Sequence, residues 1–317
     1  MNELLAGIDI GGTKCAVSLG ITEGDHIRII EKRRFATPHT PEAALEALID
    51  TLSAMLTEQN RSLGAIGISC GGPLDSVRGV VLSPPNLPGW DNIPVATAFR
   101  DAFGVPTALQ NDANAGALAE WLWGAGKGCR NIIFLTFGTG MGAGLILNGQ
   151  LYSGTNDMAG EVGHVRLADD GPVGYGKAGS FEGFCSGGGI QRLAVARTIA
   201  ALKAGHPPSF CPTEADLPFI TTEKIANSGD PLALEIFDLV AQRLGQGLAI
   251  LIDILNPERV IIGSIYLRQR DLIETRMQEV LQEEALSYAQ SVCKIVPAGL
   301  GESIGDYAAL AVARYQL

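Results

Sequence analysis

Basic side chains are scarce in this chain. Its 317 residues carry 23 Lys+Arg against 34 Asp+Glu, a formal net charge of −11, and only 18% of them are charged. A surface that holds a nucleic-acid backbone or an anionic membrane needs clustered Lys and Arg, so neither kind of partner is expected. Long apolar runs are missing too; none approaches the roughly 20 residues that a membrane-spanning helix requires. The start, Met1-Asn2-Glu3, is acidic and lacks the charged-then-apolar layout of a secretory signal. Six cysteines (Cys15, Cys70, Cys129, Cys185, Cys211, Cys293) include no C-x-x-C pair, which predicts buried thiols in a reducing cytosol. With four histidines in all, a zinc centre has little to draw on. These shortages leave a cytoplasmic globular protein. Its 46% hydrophobic content suffices for large cores, and its length suggests two domains of about 100–200 residues each.

Glycine is the residue in excess, at 40 positions against a usual share of roughly 7%. The glycines fall in short runs behind apolar segments. Leu4 to Ile10 reads as a buried strand entering the turn Gly11-Gly12, with Cys15 to Leu19 as its return strand. Pro41 to Glu58 reads as a helix, with Thr40 as its cap and Pro41 in its first position. Ala65 to Ser69 is another buried strand, running into Gly71-Gly72-Pro73. Asn131 to Gly144 is again an apolar strand, a glycine turn and a return strand beginning at Leu145-Ile146-Leu147. Asp9-Ile10-Gly11-Gly12-Thr13 and Thr136-Phe137-Gly138-Thr139-Gly140 share spacing and character, which suggests two related halves, although two unrelated hairpins would read the same way. A long helix is expected from Pro231, capped by Asp230, to Leu255, where Asn256-Pro257 stops it. Val260 to Gly263 reads as a strand, and a last helix closes the chain after Gly301. Strand, glycine turn and helix keep alternating, the pattern of a layered α/β protein. The domains are placed at 1–115 together with 301–317, and at 116–300.

Phosphate binding needs several N–H donors converging at short range, and a Cβ would obstruct that approach. Gly11-Gly12-Thr13-Lys14 offers bare backbone, a hydroxyl and a cation; Gly138-Thr139-Gly140 offers the same without the cation. One such hairpin alone is more often a structural turn, but two of matching form favour phosphate. In Thr107 to Asn114 a strand is expected to end at Gln110 and a helix to start near Ala113. Asn111 and Asp112 therefore sit at a strand's carboxyl end, where open α/β sheets place ligands. Taken alone, Asp112 is more readily explained as the cap of that helix, and a functional reading needs partners. Glu161 and His164, three apart, and Glu182 complete a set able to hold a ring of hydroxyls, since carboxylates accept hydrogen bonds and Asn both donates and accepts.

Several segments resemble one known family. D-I-G-G-T-K at Asp9–Lys14, G-I-S-C-G-G-P at Gly67–Pro73, P-N-L-P-G-W at Pro85–Trp90 and N-D-A-N-A at Asn111–Ala115 look like the ROK family of sugar kinases and sugar-responsive repressors. So do G-T-G-M-G-A-G at Gly138–Gly144 and E-V-G-H at Glu161–His164, all in family order. The resemblance implies an actin-like ATPase fold (ribonuclease H-like) of two α/β domains, and transfer of the γ-phosphoryl group of Mg-ATP to a hexose, usually at O6. Asp112 would be the base. Gly72, Asn86, Asn111, Glu161, His164 and Glu182 would contact the sugar. Asp9, Gly11, Gly12, Thr13, Lys14, Gly138, Thr139, Gly140 and Gly263 would contact ATP, with Mg2+ arriving on ATP near Asp9. Family dimers imply a homodimer.

Two departures stand out. Where the family carries three zinc-binding cysteines beside the histidine of E-x-G-H, this chain has Val173, Tyr175 and Ser180. No structural zinc is therefore expected, and Tyr175, Phe181 and Phe184 are the apolar side chains available to hold the Glu182 loop by packing. The family's Gly-Gly near the adenosine is here Gly263-Ser264. Repressors of the family place a helix-turn-helix ahead of D-I-G-G-T-K. Eight residues precede Asp9 and the net charge is −11, so a kinase is expected over a repressor. Retention of Asp112 and both turns favours it over a pseudokinase.

Overall fold

The computed structural model describes residues 3–59 and 61–317. Strands β1 (Leu4–Ile10), β2 (Lys14–Glu23) and β3 (His26–Ala36) lead into α1 (Pro41–Thr57) and β4 (Leu63–Cys70). Three short strands, β5 (Leu74–Asp75), β6 (Val80–Leu82) and β7 (Asp91–Ile93), precede α2 (Val95–Phe103), β8 (Thr107–Asn111) and α3 (Asp112–Trp123). Next come β9 (Ile132–Leu135), β10 (Ala143–Leu147), β11 (Gln150–Leu151), the hairpin β12 (Val173–Gly174) and β13 (Lys177–Ala178), and α4 (Phe181–Phe184). The chain continues through α5 (Gly187–Lys203), α6 (Thr222–Ala226) and α7 (Pro231–Leu255). It ends with β14 (Arg259–Ile262), α8 (Ile265–Arg268), α9 (Arg270–Glu284), α10 (Ser287–Val292), β15 (Lys294–Pro297) and α11 (Ile304–Tyr315).

Two sheets organise these elements, with the orders β3-β2-β1-β4-β8 and β11-β10-β9-β14-β15. In the first, β2 runs antiparallel to β1 and β3, while β4 and β8 run parallel to β1. The second repeats that order strand for strand, so the two glycine hairpins are equivalent parts of a duplicated pattern. The helices follow their local signals. Thr40 accepts a hydrogen bond from the Ala43 N–H at 3.3 Å with Pro41 in the first turn, and Asp230 accepts one from Leu232 N–H at 2.9 Å. Asn256 turns left-handed, with φ 43°, to end α7.

Strand β3 was not foreseen. Its Glu31-Lys32-Arg33-Arg34 run reads as polar surface, but it is the sheet's edge strand, where charged side chains are normal and guard against further pairing.

Two compact units emerge from the contacts. One comprises residues 1–134, 144–160 and 298–317; the other comprises 135–143 and 161–297. The expected division at residue 115 differs from this, because α3 packs on α11 and on the first sheet's strands. Fully buried Glu120 adds to that attachment by accepting N–H bonds from Ala125, Gly299 and Leu300 at 2.7–3.0 Å. In the first unit α11 lies so close to β1 and β4 that a Cβ at Gly67 would fall 2.0 Å from the Ala309 carbonyl oxygen. The core beneath α1 is built from Ile8, Ile10, Val17, Leu48, Leu52, Ile68 and Phe99, all buried.

Candidate active site

In the first unit the parallel strands β1, β4 and β8 finish level. Ile10 pairs with Cys70 and Cys70 with Asn111, so the turns that follow them open on one sheet edge. The first glycine turn is closed by the Gly11 N–H donating to Lys14 O at 3.1 Å, and Thr37 Oγ1 donates to Gly11 O at 2.6 Å. Asn86 is bound into the same edge. A Cβ at Gly12 would meet its carbonyl oxygen at 2.3 Å, and one at Gly71 its side-chain amide at 3.3 Å. Gly12 is therefore required by Asn86 as well as being open to a ligand. Gly72, Thr13, Lys14 and Asn86 are exposed there.

The helix expected near Ala113 starts one residue earlier, and its cap is Asn111. The Asn111 Oδ1 accepts the Asn114 N–H at 2.7 Å, which puts Asp112 in the first turn. Capping as the explanation of Asp112 is thus corrected: strand β8 runs one residue further than expected and hands the cap to its own last residue. The Asp112 carboxylate accepts its neighbour's N–H, from Ala113 at 2.9 Å. Its surface is open to solvent, yet protein on its other sides desolvates it and pushes its pKa up, against the lowering by the backbone N–H groups of Ala113 and Asp112. Asp9, at the end of β1, is pushed up to about 6, chiefly by burial and further by the Asp112 charge; Lys32 and Arg34 oppose the rise. Lys32 and Arg34 are themselves held by Asp306 of α11, which Lys32 Nζ and Arg34 Nη2 both approach. No sequence spacing relates residues 9, 32, 34 and 306; pairing of three strands and the returning helix brings them together.

The second unit assembles its own set. Glu182 opens α4, and its Oε2 accepts the Met141 N–H of the second glycine turn at 3.0 Å. A Cβ at Gly140 would lie 2.9 Å from that oxygen, and one at Gly163 would lie 2.2 Å from Met141 O. Glu161 precedes and His164 ends the short turn Val162–His164, and both are exposed. Thr139 is exposed at the tip of this turn. Buried Gly263, just past β14, donates its N–H to Leu135 O at 3.0 Å.

The Glu182 loop is held without thiolates. Ser180, fully buried, caps α4 by accepting the Gly183 N–H at 3.1 Å. Phe181 N–H donates to Val165 O at 2.8 Å, and Lys177 Nζ donates to His164 O at 2.7 Å. Phe181 and Phe184 are buried, the latter beneath the Arg243 guanidinium at 5.0 Å. Tyr175 departs from the expected packing: it is 76% exposed and meets the His164 ring edge-on. With φ 43° it occupies, with Gly176, the two-residue turn of the β12–β13 hairpin, which lifts its ring off the body.

A duplicated strand order, with glycine turns closing the β1–β2 and β9–β10 hairpins and a carboxylate just past the end of a parallel strand, defines a duplicated two-sheet α/β architecture. The ROK family model matches residues 5–315, and the chain belongs to the ROK family. It is 30% identical over 322 residues to the glucokinase of Streptomyces coelicolor, covering 98% of each chain. It is 27% identical to the xylose repressor of Bacillus subtilis over 94% of this chain and 73% of that one. Among solved structures, a ROK family glucokinase from Streptomyces griseus, in complex with glucose and AMPPNP, superposes with a TM-score of 0.76 at 29% identity, covering 98% and 99% of the two chains. ROK sugar kinases have the actin-like ATPase fold, and this chain shares it, as expected from its motifs.

Proposed function

We propose that the protein is an ATP-dependent sugar kinase that transfers the γ-phosphoryl group of Mg-ATP to the 6-hydroxyl of a hexose, glucose or an N-acetylhexosamine. The observation that carries this reading is Asp112, a carboxylate just past the end of β8, relieved of capping by Asn111 and within electrostatic reach of Asp9. In this reading Asp112 accepts the proton of the attacking hydroxyl as its oxygen bonds to phosphorus and ADP leaves. Phosphoryl transfer asks little else of the protein than positioning and charge. Gly72, Asn86, Asn111, Glu161, His164 and Glu182 hold the sugar; Gly11, Gly12, Thr13, Lys14, Gly138, Thr139, Gly140 and Gly263 hold ATP. The Asp9 carboxylate, coupled to that of Asp112, fits a hard cation that takes oxygen ligands. Mg2+ bound there with ATP would neutralise charge on the β- and γ-phosphate oxygens.

Similarity to glucokinases supports the reading, while similarity to xylose repressors favours a second one, a sugar-binding regulator without catalysis. A coupled assay of ADP release over a panel of hexoses, with NMR of the product, separates them. ATP-dependent formation of a hexose 6-phosphate is expected. Sugar binding with no turnover on any hexose would establish the regulator instead. A cytoplasmic homodimer is the form in which we expect the kinase to work.

A further inference from the structure

The first unit holds a cavity of about 360 Å³ that the kinase reading does not use. It lies between the β2–β3 turn, the last turn of α3 and the end of α11, and His26, Lys127 and Arg314 line it together with the indoles of Trp121 and Trp123. Helix α3 starts at Asp112 and ends at Trp123, so at about 1.5 Å per residue the cavity sits roughly 17 Å from the proposed base, at the helix's other end.

The cations are held loosely. Lys127 Nζ is 3.5 Å from Asp25 Oδ2, and Arg314 Nη1 is 4.0 Å from Glu3 Oε2. Both separations exceed the roughly 2.7–2.9 Å of a charged hydrogen bond, so an anion would displace little. Asp25 is the single carboxylate among the described lining residues, and with its side chain 83% exposed it is well solvated. The half-buried indoles, by contrast, are fixed. Trp121 Nε1 donates to Cys129 O at 2.8 Å and its ring meets Tyr315 edge-on at 6.3 Å, while Trp123 packs against Tyr307 at 6.1 Å. Preset aromatic faces receive a ring at small entropic cost, and Arg and Lys suit phosphate oxygens. The volume is at the small end of ligand sites, and a net charge of −11 opposes a long polyanion.

We propose that this cavity is a second ligand site that binds the phosphate monoester of a ring compound, with Lys127 and Arg314 on the phosphate and the two indoles against the ring. A hexose phosphate and a nucleoside monophosphate share that chemistry. The site stands apart from the kinase reading, since none of its residues enters the proposed reaction.

Tryptophan fluorescence reads the cavity directly, because two of the chain's three tryptophans line it and the third, Trp90, is 1% exposed. Glucose 6-phosphate, AMP, inorganic phosphate and adenosine are titrated into the full chain by fluorescence and calorimetry. Excess glucose and a non-hydrolysable ATP analogue keep the proposed catalytic site occupied. Saturable binding of glucose 6-phosphate or AMP with a change in emission is expected, and the ester that binds names the source. The double variant Lys127→Gln, Arg314→Gln should weaken it about tenfold or more, and should flatten its salt dependence. Trp123→Leu keeps an apolar body and removes the indole, so it should weaken the ester and leave inorganic phosphate unaffected. Thermal melting controls for the fold of each variant. Failure of both esters to bind overturns the proposal. So does affinity unchanged in the double variant, which would put the ester elsewhere. Inorganic phosphate or adenosine binding as tightly as the esters would also overturn it, by leaving the indoles or the cations without a role.

Discussion

Asp112 stands in the first turn of α3, with Asn111 satisfying the helix end in its place. Asp112→Asn keeps the shape and removes the base, so kcat should fall about 10²–10⁴-fold while sugar affinity measured by calorimetry persists. Near-normal kcat would remove Asp112 from that role. Asp9 carries a different signature. Its carboxyl titrates about 6 in the folded protein against an ordinary 3.8, so the folded state holds a proton that the unfolded chain has released across that window. Stability therefore falls as pH rises from 3.8 to about 6 and levels off above it. The ligand-free Asp9→Asn variant should melt higher than wild type at neutral pH and show little gain at the acid end; a gain independent of pH would contradict the assignment. Ser264 has φ 56° and ψ −111°, a backbone conformation that glycine adopts at far lower cost. Ser264→Gly should stabilise the protein by about 1 kcal/mol, a rise of about 2–4 °C in Tm for a domain of this size. An unchanged or lower Tm would mean that the serine's contact with Arg268 offsets the strain.

At the scale of elements, the Glu182 loop shows hydrogen bonds and packing at the positions where the family resemblance implies a zinc site. Ser180 as cap, Lys177 on the His164 carbonyl, and the buried rings of Phe181 and Phe184 fasten α4 to its surroundings. Phe181 is 1% exposed and rests on Gly247 of α7, where a Cβ would lie 2.4 Å from its ring. Phe181→Ala should cost about 3–5 kcal/mol and weaken sugar binding more than removal of any cysteine, because the next residue is Glu182. The same reading expects no tightly held zinc in purified, tag-free protein and no loss of stability on chelation once magnesium is restored. Elemental analysis finding one zinc per chain would refute it. The glycine turns carry a matching lesson. A side chain at Gly12, Gly138 or Gly140 would strike protein atoms at 2.3–3.0 Å before meeting any ligand, so glycine substitutions there report on the hairpin as much as on phosphate.

At the scale of the molecule, the chain's last helix closes its first sheet. Buried Ala308 to Ala313 cover β1 and β4, while Asp306 holds Lys32 and Arg34 of β3. Deleting residues 304–317 should expose that face and abolish hydrogen-exchange protection of β1 and β4; retained protection would show that the sheet stands without the helix. Much of this architecture was legible in sequence because its signals are local. Apolar runs ending in glycine mark the strands, Thr40-Pro41 and Asp230-Pro231 mark helix starts, and the matching hairpins mark the duplication that the two strand orders display. The family, and with it the fold, followed from motifs that each lie within a few consecutive residues. The edge strand β3 was hidden because pairing, not apolarity, makes it a strand. The cap at Asn111 was missed by one residue, since a strand end and a helix start compete for the same short stretch. The surroundings of Asp9, the Glu120 links, the exposure of Tyr175 and the cations beside Trp121 and Trp123 depend on contacts between residues tens to hundreds of positions apart. No local pattern encodes such contacts, because hydrogen bonds, burial and charge act through space, and only the folded chain sets those distances.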